Sequence, residues 1–99
     1  MRTARPTATV VDAALELLAS GEPVGDDWRD RAACRDMPNE LFFPTRGESV
    51  AEAKAACARC PVAVRCLAFA LESREQHGIW GGCAERDRRV LRRQLGSAA

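Results

Sequence analysis

No apolar run in the 99 residues approaches the ~20 positions of a membrane-spanning helix, so no segment is expected to cross a bilayer. Residues 1–10 lack the apolar core of a signal peptide, and the apolar stretch that follows is interrupted by Asp12 and Glu16. These two absences predict a cytoplasmic protein with no membrane partner. There is no internal repeat and no long low-complexity tract. No stretch alternates apolar and polar residues as a half-buried strand does, which leaves an all-α fold. Histidine occurs once, as His77 before a glycine, where a surface or helix-capping role fits better than a metal ligand. The length allows one small domain and not a multidomain enzyme. A core of this size has little spare stability, so a disulfide, a metal or a partner is expected to reinforce it.

Five cysteines stand out against these absences. In a cytoplasmic chain they point to metal or redox chemistry rather than structural disulfides. Five is also odd, so any set of four leaves one over. The net charge of +1 conceals a split. Residues 1–53 carry 6 basic and 10 acidic side chains, whereas residues 54–99 carry 9 basic and 4 acidic ones. Fourteen of the basic residues are Arg, the side chain suited to bidentate phosphate contacts.

The helical pattern divides the chain. Residues 1–6 read as a loose basic tail. Val10, Val11, Ala14, Leu15, Leu17 and Leu18 recur at helical spacing before Gly21 and Pro23 end the segment. A short helix fits residues 28–34, and Pro38, Asn39, Pro44 and Gly47 mark a loop over 36–47. Ser49 and Glu52 form a capping-box pattern that opens a helix over 50–58. Pro61 suits the first turn of a further helix running to about Gln76 and stopping at Gly78. Its apolar residues occupy two faces, so it is expected in the middle of the domain. Three glycines among residues 78–82 require a turn. A last helix fits 84–95, closed by Gly96. The expected architecture is thus about four short helices. An N-terminal extension covers 1–26, a cysteine-bearing domain 27–83, and a basic helix with its tail 84–99.

Cys57 and Cys60 straddle a helix junction, Cys66 points back from the next helix, and Cys34 can close the site from the N-terminal side. Thiolates are soft donors that select zinc, Cu(I) or iron–sulfur clusters. Structural zinc sites usually pair two short cysteine knuckles, and this chain has one. Separated single ligands suit the spread corners of a cubane better, and Cys60–Pro61 matches the Cys-Pro habit of cluster-binding runs. The spacing therefore favours a [4Fe–4S] cluster over a zinc-stabilised DNA-binding module. A thiol–disulfide oxidoreductase acting through Cys57 and Cys60 is the third reading. It lacks the strand-to-helix setting such motifs use. Thiols freed by cluster loss could still pair as a disulfide.

The order of Asp27-Trp28-Arg29, Cys34, Glu40-Leu41-Phe42-Phe43-Pro44, Cys57-x2-Cys60-Pro61, Cys66 and Gly78-Ile79-Trp80-Gly81-Gly82, followed by a basic helix, resembles the WhiB-like proteins of actinobacteria. The resemblance covers about residues 27–95. It implies a transcriptional regulator, not an enzyme, with a four-cysteine [4Fe–4S] cluster at Cys34, Cys57, Cys60 and Cys66. It also implies sensitivity to oxygen and nitric oxide, and binding to region 4 of the primary sigma factor of RNA polymerase. By motif, Trp28, Phe42, Phe43 and Trp80 would form the sigma-binding patch, with Gly78, Ile79, Gly81 and Gly82 shaping the turn.

Three features depart from that pattern. Residues 1–26 are an extension with an amphipathic helix. Cys83 stands where a hydrophobic residue is usual, and a neutral replacement is the simplest reading. Ala84 stands where Ser or Thr would cap the last helix, which should weaken that cap by ~1 kcal/mol. On that helix Arg86, Arg88, Arg89, Arg92 and Arg93 occupy an arc of ~160°. Val90, Leu91 and Leu95 lie opposite. Five Arg on one arc make a phosphate-binding stripe, the expected contact with promoter DNA.

Overall fold

The computed structural model describes residues 6–25, 27–45 and 47–98. It contains four α-helices: α1 (Pro6–Ala19), α2 (Ala51–Ala58), α3 (Ala63–Ser73) and α4 (Glu85–Ala98). Three short 3₁₀ turns, Asp27–Arg31, Ala33–Asp36 and Asn39–Phe42, join α1 to α2. No strand occurs among the described residues; an isolated bridge pairs Trp80 with Cys83. The all-α expectation and the helix count hold. The expected basic tail falls outside the described residues except for Pro6. No helix among the described residues is long and apolar enough to cross a membrane.

The N-terminal extension is part of the core. Ala14 is fully buried, and Val10, Val11, Leu15, Leu17 and Leu18 pack on a cluster built from Leu67, Ala68 and Leu71 of α3. Alanines at 14 and 68 let the two helices approach closely, and the leucines fill the space on either side. Trp28 drops into the same cluster at 2% exposure. Its indole N–H donates to the Gly25 carbonyl at 2.8 Å, so the buried polar atom is satisfied. A second, smaller cluster holds Phe42, Ala53, Ala56 and Ile79. The ligand-candidate cysteines border these two clusters: Cys60 and Cys66 flank the first, Cys57 the second, and Cys34 both.

Several boundaries differ from the sequence reading. α3 ends at Ser73 rather than near Gln76, because Arg74 turns left-handed at φ 57°. Glu75 N–H then donates to Ala70 O at 2.9 Å, the closing bond of a Schellman-type end. Glycine usually takes that position, so an arginine there left no trace in the sequence. α2 starts at Ala51, and Ser49 Oγ accepts from Ala51 N–H at 3.1 Å instead of forming the expected capping box. The helix expected over 28–34 is split into two 3₁₀ turns. Gly96 does not stop α4, which continues to Ala98. A single glycine costs a helix only about 1 kcal/mol.

Candidate metal centre

Cys57 lies in the last turn of α2, and Cys60 in the connection to α3, with its N–H donating to Cys57 O at 3.1 Å. Cys66 lies one turn into α3, and Cys34 in the second 3₁₀ turn. All four side chains line one cavity of about 420 Å³. All five cysteines are free thiols, and Cys83 is not among the residues lining the cavity. Cys83 is buried in the apolar cluster with Leu67 and Leu71, as a small hydrophobe would be. Among the described residues, no three His, Cys, Asp or Glu side chains gather around one point as a single ion requires. The four thiols border a larger hollow instead.

Main-chain donors are aimed at these sulfurs. Ala33 N–H donates to Cys60 Sγ at 3.4 Å. Burial is the main influence on Cys57 and raises its pKa, while the N–H groups of Gly82 and Gly81 oppose that by favouring the thiolate. Burial pushes Cys66 up to about 12, against the Gly81 N–H. Cys34 is raised by burial and then by the charge of Cys60, with Arg29 acting in the opposite direction. Protein alone therefore favours the protonated forms of Cys34, Cys57 and Cys66, and a bound cation is what would hold them as thiolates. The donor set fits an iron–sulfur group: four soft sulfurs, an apolar wall containing Phe42 and Ile79, and backbone N–H groups directed at sulfur.

The glycine turn forms one wall. Trp80 and Cys83 exchange N–H···O bonds of 3.0 Å each, and Gly81 and Gly82 between them have φ of 60° and 85°. Positive φ at both central positions is the requirement of a type I′ turn. Gly81 is needed for space as well, since a Cβ there would meet Ala63 O at 2.6 Å and Leu67 Cβ at 2.7 Å. Ile79 N–H donates to Phe42 O at 2.8 Å and ties the turn to the aromatic loop.

The expected aromatic patch is only partly a surface. Trp28, Phe42 and Ile79 are buried core residues, and Gly81 and Gly82 are buried with them. Trp28 and Phe42 therefore support the patch from beneath rather than forming it, because each fills an apolar cluster. Phe43 is 43% exposed, and Trp80 is half-buried at the cavity rim. The two flank Gly78, where a Cβ would lie 2.7 Å from the Phe43 ring and 2.8 Å from Trp80 Nε1. Trp80 stacks on Phe69 at 5.9 Å, and Phe69 meets Trp28 edge-on at 5.6 Å. The Arg29 guanidinium caps this ladder, 4.7 Å from the Phe69 ring centre and 4.8 Å from that of Trp28.

A family model described as transcription factor WhiB matches residues 28–91. The chain belongs to the WhiB family. It is 45% identical over 73 residues to transcriptional regulator WhiB1 of Mycobacterium tuberculosis, covering 69% of this chain and 87% of that protein. It is 50% identical over 70 residues to transcriptional regulator WhiB2 of the same organism, covering 71% and 79%. WhiB2 of Mycolicibacterium smegmatis is 42% identical over 91 residues, covering 92% and 69%. Family membership makes this chain a transcriptional regulator rather than an enzyme.

The matched WhiB region ends on α4, where the expected arginine stripe needs one correction. Arg88 has no exposed surface. Its Nη1 donates to Gly78 O and Cys83 O, both at 2.7 Å, and its Nη2 to Glu75 O and His77 O, both at 3.2 Å. A guanidinium enclosed by four carbonyls cannot reach a phosphate. Arg86, Arg89 and Arg93 are exposed, Arg92 is half-buried, and Arg89 pairs with Glu85 at 3.1 Å. The burial had a sequence signal: at 100° per residue Arg88 lies about 20° from Leu95, at the edge of the arc facing the apolar side. Two further groups border the cavity: Arg29, over the aromatic rings, lies in the Asp27-Trp28-Arg29 motif, whereas the Ala33 amide on Cys60 Sγ carries no sequence signal.

Proposed function

We propose that this WhiB-family regulator holds a [4Fe–4S] cluster through Cys34, Cys57, Cys60 and Cys66, and uses it to control contact with the transcription machinery in the cytoplasm. The observation that carries this reading is the single cavity bordered by all four thiols, with the glycine turn as one wall. When bound, the cluster supplies a core that reacts with oxygen and nitric oxide. The chain does the rest. The four cysteines hold the group, and the amides of Ala33, Gly81 and Gly82 steady the thiolates. The turn presents Trp80 beside Phe43 at the rim, as an aromatic anchor for region 4 of the primary sigma factor. Arg86, Arg89 and Arg93 on α4 face solvent and suit promoter phosphates.

A single zinc ion fits less well, because it needs its four donors at about 2–2.3 Å from one point. An oxidoreductase at Cys57 and Cys60 fits less well too, since burial raises Cys57 and makes it a poor attacking thiol. The test is protein purified without oxygen. Iron and acid-labile sulfide in equal amounts, with a brown absorption that bleaches under nitric oxide, are expected. A colourless protein carrying zinc would overturn the reading. Trp80→Ala should retain the iron and lose sigma capture; unchanged capture would remove Trp80 from the interface.

A further inference from the structure

The cavity shared by the four cysteines has a cationic edge. Arg29 and Arg35 line it, and no aspartate or glutamate does among the described residues. Neither arginine pairs with a carboxylate among those residues, where the ion pairs join Lys54 to Asp87 and Arg89 to Glu85. Asp27 and Asp30 share a 3₁₀ turn with Arg29, yet neither comes within ion-pair distance of it. Like charges around an apolar hollow repel one another, and an anion inside the hollow relieves that repulsion.

Arg29 is held in place as well as unpaired. Its guanidinium lies 4.7 Å from the Phe69 ring centre, 4.8 Å from that of Trp28 and 5.7 Å from that of Trp80. All three distances fall within the ~6 Å reach of a cation–π contact. The planar fork also stacks on flat rings, where a lysine ammonium would stay hydrated. Trp28 is buried and Phe69 half-buried, so the shelf beneath the guanidinium belongs to the core. Trp28 and Trp80 line the cavity together with Arg29. The charge reaches the sulfurs: burial raises Cys34 most, and Arg29 acts against it. Arg31, in the same 3₁₀ turn, is the contrast. It is exposed and borders a separate hollow with Glu16 and Leu17 of α1.

We propose that Arg29 is a charge-compensating residue for the group held at Cys34, Cys57, Cys60 and Cys66, fixed on the Trp28–Phe69–Trp80 shelf so that its field favours the reduced state. The inference rests on the cluster reading above. A cubane bound by four thiolates is a net anion. One electron delivered by an electrode adds a further negative charge to it, with no ligand bond made or broken. Net charge and solvent exposure are among the influences that set the potential of such groups. A cation fixed at the cavity mouth stabilises the arriving charge, and without it the same electron is harder to add.

Anaerobic potentiometric titration of the iron-loaded full chain tests this, with iron and sulfide measured on the same samples. At a fixed potential, Arg29→Gln should lower the ratio of reduced to oxidised group about tenfold, which is ~59 mV for one electron. Arg29→Lys, which keeps the charge without the planar fork, should lie between Arg29→Gln and the unsubstituted protein. Arg31→Gln removes the same formal charge from the same turn and should leave the ratio within about twofold, because solvent and salt screen it. A purely structural Arg29 would lower iron content or stability with the potential unmoved, and lysine would do no better than glutamine. If the reduced state decays during titration, stopped-flow reduction by dithionite should give the same order from rates, with Arg29→Gln slowest. If Arg29→Gln does not load, Arg29→Lys compared with Arg31→Gln decides. Equal ratios and rates in Arg29→Gln and unsubstituted protein, or equal shifts in Arg29→Gln and Arg31→Gln, would overturn the proposal. An unsubstituted protein that binds no iron overturns the cluster reading and this inference with it, whereas loaded protein indifferent to Arg29 overturns this inference alone.

Discussion

Where α1 meets α3, Ala14, Leu67, Ala68 and Leu71 pack as an apolar layer closed over Trp28. Where the 78–83 turn meets α2 and the 3₁₀ turns, the contacts are main-chain bonds, a small apolar cluster and four thiols around a hollow. The first region resembles the core of any small helical domain and needs no added group. The second has backbone in sparsely used conformations, as at Gly78 and Gly81, and the amides of Gly81 and Gly82 face sulfur rather than carbonyl oxygen. The contrast teaches where a ligand can control a small fold. It acts on the side whose own packing is insufficient, while the other side keeps the chain together.

The contrast is tested most severely by removing a ligand. Cys57→Ala should reduce bound iron and sulfide to background, since one missing thiolate leaves a corner of the group unheld. Binding of a structural metal is worth on the order of 10 kcal/mol, more than any packing contact here. Amide exchange should rise across the turn and α2, while α1 and α3 keep their protection. Iron retained at the unsubstituted level would remove Cys57 from the site.

Next in size is a change on the packed side. Trp28→Ala deletes a fully enclosed indole and should lower unfolding free energy by about 3–5 kcal/mol. Most of the loss should appear in both loaded and metal-free protein, measured by chemical denaturation, because the indole packs in the α1–α3 layer and only part of it lines the thiol cavity. A loss confined to loaded protein would show that the two regions are not separate. Smaller again is Gly81→Ala, which forces a Cβ against Ala63 O and Leu67 and a side chain into φ +60°. A strained residue of this kind costs about 1–3 kcal/mol. The cost should appear mainly as faster loss of iron under air, because the displaced wall is the one facing the thiols.

The two regions differed in legibility for the same physical reason. The all-α class, the helix count and α1 were readable because apolar residues recur at helical spacing. The cysteines were readable by type, and the 78–82 turn by its glycines. The aromatic residues were not readable as core or surface, since composition does not say which of two adjacent rings points inward: Phe42 is buried and Phe43 exposed. Arg88 was misread because a charge run predicts a solvated face unless enough carbonyls close around one member. Those carbonyls come from residues 75–83 and depend on the turn already being formed. The end of α3 at Arg74 was hidden likewise, as a left-handed arginine has no sequence signature.

The smallest effect concerns how α4 begins. Ala84 offers no side-chain acceptor at the N-cap, and a weaker helix start is the expectation from sequence. In the fold, Asp87 Oδ2 accepts from Ala84 N–H at 3.0 Å, supplying the reciprocal half of a capping box. Its charge also sits in the first turn, where the helix dipole favours an anion. The same carboxylate lies 3.6 Å from Lys54 Nζ, so two causes could underlie its contribution. They are separable. Asp87→Ala should cost about 1 kcal/mol, Asp87→Asn should retain part of the cap, and Lys54→Ala should cost below about 0.5 kcal/mol because the pair is half-exposed. A cap acts on α4 alone, so the Asp87→Ala loss should appear as faster amide exchange at the start of α4 with α1 and α3 unchanged. If Lys54→Ala costs as much as Asp87→Ala, the carboxylate works as a strut between α2 and α4, and α4 is tied to the cysteine side by a second link besides Arg88.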